Sequence, residues 1–166
     1  PSLQGANQLK AQVRQQVVGQ TIRTGEFLAL NRRLQEAGVK PLVVKGIVCR
    51  SLYPKPDLRP SADEDVLIRP QDFETCRRVM EEMGTTTELD PEQQENAYEV
   101  PYRKAGGMLY IELHRSLFPP ESQAYGNLNG FFDGVLDREV ALEIQGSTVW
   151  TMAPTDHLFY LICHAF

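Results

Sequence analysis

What this chain lacks narrows what it does. Nowhere do about 18 apolar residues run together, so no membrane-spanning helix and no membrane partner are expected. No charged-then-apolar leader opens the chain, so no secretory signal peptide is read there. Positive charge is in short supply: 17 Lys and Arg stand against 22 Asp and Glu, for a formal net charge of −5. That balance argues against strong, general binding to nucleic acid, which usually needs a basic face. It leaves room for a local basic pocket. Cysteine is scarce and odd in number. Cys49, Cys76 and Cys163 lie far apart and form no CxxC, which points to free, mostly buried thiols in a reducing, cytoplasmic setting. Histidine is scarce too, with 3 in all. His157 and His164 are not four apart, as a helical zinc pair would need, and both read as structural. No internal repeat and no low-complexity segment occurs.

What is present is ordinary globular composition: 166 residues, 42% hydrophobic and 23% charged. One domain is expected, or one plus part of a second. Phe27, Leu30, Leu34 and Ala37 recur at helical spacing, so residues from about Leu9 to Ala37 read as helix, with Gly19 or Gly25 as a break and Gly38 as the stop. Residues 41–45 read as a short buried strand, and Gly46 to about Tyr53 as a helix. Pro54 to Pro60 is a proline-stiffened loop carrying Lys55 and Arg59. Residues 64–68 read as the next strand and Pro70 to Met83 as a helix closed by Gly84. Residues 85–96 read as loop. Tyr98–Lys104 and Met108–His114 read as a hairpin about Ala105-Gly106-Gly107. Residues 118–126 read as loop, and 131–136 are ambiguous. Arg138–Ile144 and Thr148–Trp150 suggest a second hairpin, and Pro154 to Phe166 a helix. The order predicts an α+β fold with a small mixed β-sheet flanked by helices. Residues 1–38 form a helical segment packing on the core, 39–153 the α/β core, and 154–166 the start of a helical region. The chain opens at Pro1 and ends inside an apolar helical pattern, so a fragment of a longer protein is expected.

The chemistry concentrates in Ser61-Ala62-Asp63-Glu64-Asp65-Val66-Leu67-Ile68. Side chains alternate along a strand. Asp63 and Asp65 therefore share one face, and Glu64, Val66 and Ile68 the other. By the same count Tyr110, Glu112 and His114 share a face, while Leu109, Ile111 and Leu113 fill the core. If both strands turn their carboxylates to one side, Asp63, Asp65 and Glu112 converge. Carboxylates that close repel unless a cation joins them, and hard oxygen ligands suit Mg²⁺ or Mn²⁺. Such ions clamp an in-line phosphoryl displacement. A strand ending in glycine and opening a helix is a place for an anion, so Gly46 is expected to hold phosphate. Lys45 reads equally as a phosphate contact or a surface lysine. Arg59, braced by prolines, suits phosphate better. Glu112 is a candidate general base. His114 reads equally as a group that binds substrate or orients Glu112, or as a packed, hydrogen-bonded histidine. Glu64, on the buried side, needs a partner there.

The frame Lys45-Gly46, Leu52-Tyr53-Pro54, Leu58-Arg59-Pro60 and Asp63-x-Asp65-x-Leu67-Ile68 resembles an uncharacterised nucleotidyltransferase family. That family is a divergent branch of the DNA polymerase β-like nucleotidyltransferase superfamily. Glu112-Leu113-His114 and the stretch from Pro154-x-Asp156-x-Leu158 to Cys163-His164 are similar to its later motifs. In the superfamily a glycine motif opens a helix, paired acids lie on the next strand, and a third acid lies on a later one. The resemblance implies those roles for Gly46, Asp63, Asp65 and Glu112. Here Lys45-Gly46-Ile47 replaces the usual Gly-Gly or Gly-Ser, and Glu64 stands where an apolar residue is usual. The expected reaction is Mg²⁺-dependent transfer of a nucleotidyl group from a nucleoside triphosphate to a hydroxyl-bearing small molecule, protein or RNA. The rivals are an inactive nucleotide-binding or scaffold module of the same fold, and a metal-dependent phosphohydrolase.

Overall fold

In a computed structural model, which describes residues 3–165, Leu3–Glu36 form one unbroken helix, α1. Neither Gly19 nor Gly25 breaks it, which corrects the expected division. A glycine inside a helix costs only about 1 kcal/mol against alanine, and Gly19 lies where a Cβ would sit 3.0 Å from Met108 Cε. The second half of α1 buries Phe27, Leu30 and Leu34, while Leu9, Val13 and Val18 in the first half stay exposed. Gly38, at φ +85°, turns the chain out of the helix into the strand that follows.

Leu42–Val43 form β1 and Ile47–Ser51 the short helix α2. Glu64–Leu67 form β2, Phe73–Glu82 α3 and Thr85–Thr86 β3. Pro91–Asn96 form α4, Glu99–Lys104 β4 and Tyr110–His114 β5. Val140–Ile144 and Ser147–Thr151 form β6 and β7, and Pro154–Ala165 form α5. The strands make one seven-stranded sheet in the order β3-β4-β5-β2-β1-β7-β6. It is mixed: β2 runs parallel to β5 and β1 to β7, and the other pairs are antiparallel. The fold is thus the mixed sheet with flanking helices that the element order implied.

Two segments differ from their sequence reading. The supposed loop 85–96 contains β3 and α4. Asp90 caps α4 by accepting from the Gln93 N–H, and Gln93 accepts from the Asp90 N–H. The signal was in the sequence as Asp90-Pro91-x-Gln93, a cap, a proline at the first position and a capping-box partner. The stretch Gly126–Phe132, partly ambiguous and partly read as loop, is 3-10 helix, as is Val135–Asp137. Both hairpins form. The second turns at Gln145 and Gly146, both at positive φ (50° and 74°), which matches the twist of the flanking strands.

The sheet separates two apolar layers. On one face α1 and α3 pack over Val43, Val66, Ile68, Ile111 and Leu113. On the other, α5 and the 3-10 stretches pack over Leu42, Val44 and Leu67 through Phe118, Phe132 and Tyr160. The odd residues of β2 thus face α5 and the even ones face α1. Glu64 points into the α1 side and is fully buried, beside a fully buried Arg50. Arg50 Nη2 donates to Glu64 Oε1 (2.7 Å), and the Ile47 N–H donates to Glu64 Oε2 (2.6 Å). Arg50 also donates to Ser61 Oγ and Thr24 Oγ1, and Arg23 on α1 donates to the Ser61 carbonyl. Burial pushes Glu64 up to about 7, against the pull of Arg50 and the Ile47 N–H. Gly46, at φ +59°, fits because a Cβ there would overlap Glu64 Oε2 and sit 2.7 Å from the Asp63 carbonyl.

Breaking this pair on one side strands a buried charge. At pH 8, where Glu64 is ionised, Arg50→Met or Glu64→Leu alone is expected to cost about 3–5 kcal/mol in urea unfolding. The double variant is expected to lose far less than the sum; strictly additive losses would show that the two do not act as a unit.

Candidate functional site

Asp65 and Glu112 are lateral neighbours on parallel strands, and Leu67 and His114 are the next but one pair. The shared face carries Asp65, Glu112 and His114 together. His114 Nε2 lies 3.5 Å from Asp65 Oδ1 and 4.0 Å from Glu112 Oε2. One ligand atom from each of the three lies within 4.8 Å of the others. Asp65 and His114 are buried, and Glu112 is half-buried. Among the described residues, Asp65 Oδ2 and both His114 ring nitrogens have no hydrogen-bond partner.

The remaining expected residues fall around this core at different distances. Asp63 precedes β2 and is half-buried. It is not in the close set, though its charge helps raise Glu112. Lys45 sits against the cluster, with Nζ 3.2 Å from Asp65 Oδ1. Lys45 is thus half-buried against Asp65 rather than free in solvent. Gly46 opens α2 as the sequence implied, and the Ile47 N–H just beyond it donates to Glu64 Oε2. Arg59 packs with its guanidinium 5.5 Å from the Tyr53 ring centroid and does not line the cavity beside the cluster.

Two contributors escaped the sequence. Glu99, on β4, stands directly across from His114, with Oε2 3.6 Å from His114 Nδ1. Counting outward from Gly106-Gly107 pairs Glu99 with His114, so the hairpin register could have found it. His164, read as structural, comes in from α5 and lies 2.7 Å from Lys45 Nζ. An ammonium only donates, so in this contact His164 Nε2 is the acceptor. Nothing in the sequence signals this, because it depends on how α5 crosses the sheet. His157 is structural as expected: its Nε2 bonds the Val44 carbonyl at 2.7 Å.

A cavity of ≈ 420 Å³ opens beside the cluster. Its lining combines polar groups of Asp65, Glu99, Glu112, His114 and His164 with apolar surface from Tyr98, Leu117, Phe118, Pro119, Tyr125 and Cys163. The electrostatics divide the two strand carboxyls. Burial works to raise Asp65, but the His114 ring and the Lys45 ammonium outweigh it and hold the carboxyl below its usual range. Burial raises Glu112, and Asp65, Glu99 and Asp63 push it further the same way. Burial, and then Lys45, lower His164.

Solved structures with this architecture include the lincosamide antibiotic adenylyltransferase LnuA bound to lincomycin. It superposes with a TM-score of 0.56 at 12% identity, covering 81% of this chain and 83% of that one. An antigenic nucleotidyltransferase-like protein from Paracoccidioides brasiliensis superposes with a TM-score of 0.51 at 12% identity, covering 90% of this chain and 75% of that one. At such identity the likeness establishes the fold alone. No curated protein matches by sequence. The fold is that of the nucleotidyltransferases. The family model described as uncharacterised nucleotidyltransferase matches residues 1–166, and the chain belongs to that family. Among the described residues, no helix is long and apolar enough to cross a membrane.

The divided carboxyls give opposite stability effects. A carboxyl lowered in the fold stabilises above its ordinary value; a raised one costs stability once ionised. At pH 7 without metal, Asp65→Asn is expected to lower the melting temperature and Glu112→Gln to raise it. Calorimetric melting of the two variants beside the wild type reads both signs directly. Shifts of the same sign would contradict the division.

Proposed function

We propose that this protein transfers a nucleotidyl group from a nucleoside triphosphate to a hydroxyl-bearing acceptor, a small molecule, a protein or an RNA. The observation that carries the reading is the lateral pair Asp65–Glu112 at the edge of a cavity, with a buried Asp65 oxygen left unpartnered. Buried polar atoms without partners are rare, and carboxylate oxygens at this spacing fit a divalent cation such as Mg²⁺ or Mn²⁺. Asp65 and Glu112, with Asp63 at their edge, are the residues that would hold it. The bound ion would neutralise phosphate charge and polarise the bond under attack.

Around the ion the side chains have further work of their own. Lys45, already 3.2 Å from Asp65, holds a positive charge where a triphosphate would meet the carboxylates. Arg59, held on Tyr53 outside the cavity, would serve as a second cation only by swinging in from its loop toward the bound triphosphate. Glu112, whose proton affinity burial and its acidic neighbours raise, suits a general base. It takes the acceptor's hydroxyl proton as the acceptor oxygen bonds the α-phosphorus and pyrophosphate leaves. Gly46 contributes by shape, letting α2 seat on the Glu64 carboxylate. Glu64, between the two aspartates, faces away from the site and takes no part in the chemistry.

The test is incubation with each α-labelled nucleoside triphosphate, Mg²⁺ or Mn²⁺, and acceptor pools of the three kinds. Label is expected to move to an acceptor with release of pyrophosphate. Glu112→Gln is expected to reduce the rate about 10²–10⁴-fold, and Asp65→Asn to abolish transfer. Free phosphate without labelled acceptor would instead favour a phosphohydrolase, and nucleotide binding without turnover a scaffold module. Undiminished transfer by Asp65→Asn would remove the site assignment.

A further inference from the structure

We propose that His114 is a direct metal ligand, held in register by Glu99, so that the site prefers a first-row transition ion, Mn²⁺ in particular, over Mg²⁺. The proposal rests on reading the acidic cluster as a metal site, and it changes which residues and which ion that site uses.

A buried histidine ordinarily satisfies its ring nitrogens. His157 shows the ordinary case, bonding the Val44 carbonyl at 2.7 Å. His114 differs. It is 4% exposed, yet among the described residues neither nitrogen has a hydrogen-bond partner. Its Nε2 faces Asp65 Oδ1 at 3.5 Å and Glu112 Oε2 at 4.0 Å. Two atoms each about 2.1 Å from a common ion are separated by roughly 3–4 Å, which is the spacing seen here. Asp65 adds a second orphan, its Oδ2, at a residue 1% exposed. Asp65 Oδ1 accepts from Lys45 Nζ at 3.2 Å, so an ion held between His114, Asp65 and Glu112 would take the place of that ammonium or share the carboxylate with it.

The far side of the ring supports the assignment. Glu99 Oε2 lies 3.6 Å from His114 Nδ1, across the β4–β5 hairpin. A carboxylate that accepts from the back of a ligating histidine fixes the ring's orientation and makes the other nitrogen a stronger donor. Glu99 stands 3.6 Å away, just beyond hydrogen-bond reach, and would form that bond on a small closing movement when an ion draws the ring. The hairpin register places Glu99 there, since Glu99 and His114 are direct cross-strand partners. Mg²⁺ favours an all-oxygen shell and sheds water reluctantly. An imidazole nitrogen in the set favours later first-row ions, and the two carboxylates keep Mn²⁺ well suited. His164 is the competing histidine, but its Nε2 is engaged by Lys45 at 2.7 Å.

The test uses the intact protein loaded with Mn²⁺ alone. Pulsed EPR is expected to show ¹⁴N coupling from a directly bound imidazole. The coupling is expected to vanish in His114→Asn and to persist in His164→Asn. Calorimetric titration is expected to give Mn²⁺ at least about tenfold tighter binding than Mg²⁺. Glu99→Gln, at a partly exposed residue, is expected to weaken Mn²⁺ binding about 10–100-fold with little effect on Mg²⁺. Absence of the nitrogen coupling in the wild type, its survival in His114→Asn, or equal affinity for the two ions would overturn the proposal. Oxygen-only coordination with intact nucleotidyl transfer would sink this assignment and leave the transferase reading standing. Nitrogen coupling without transfer would do the reverse.

Discussion

A charged pair sealed inside the molecule, Arg50 with Glu64, fixes the geometry on which the site depends. Both residues are essentially inaccessible to water. Removing two charges from solvent is costly, and the cost is recovered only when every charged atom finds a partner. Here the Glu64 carboxylate takes the Arg50 guanidinium on one oxygen and the Ile47 N–H on the other. Arg50 reaches Ser61 and Thr24 as well, and Arg23 and Gln20 of α1 also bond Ser61. One network therefore joins α1, α2 and the start of β2. Glu64 is gripped from the α1 side, and alternation then sends its neighbour Asp65 to the α5 side.

That division explains how three consecutive acids are tolerated. Glu64 is balanced by a buried cation on one face of the sheet. Asp65 is balanced on the other by His114 and Lys45, strongly enough to lie below its ordinary range despite burial. Glu112 has less support and more acidic neighbours, and is raised. Two carboxyls side by side on parallel strands thus acquire different proton affinities from their surroundings alone. Such a separation suits one group to remain ionised and the other to exchange a proton.

Much of this was legible along the chain. The alternation of Asp63 to Ile68 and of Leu109 to His114 assigned each residue to its face, because a strand leaves a side chain only two directions. The helix face of Phe27, Leu30 and Leu34, the Gly38 stop and both glycine-containing hairpins were readable for similarly local reasons. Local reasoning also failed where it was applied too coarsely. The polar composition around Asp90 and Gln93 masks a capping box, and the two glycines in α1 break no helix because their intrinsic cost is small beside packing.

The sequence by itself determined the strand faces, the acid-rich segment, the pairing of two hairpins and the membership of the fold class. These follow from periodicity, turn chemistry and motif spacing, which act over a few residues. Only the tertiary structure decided which polar groups meet. It set Asp65 beside Glu112 through the parallel register of β2 and β5, and brought His164 from α5 to Lys45. It also put an internal carboxylate, Glu64, against the Ile47 N–H at the start of α2. Contacts of this kind join residues far apart in the chain, and their energies come from burial and charge pairing that exist only once the layers have closed.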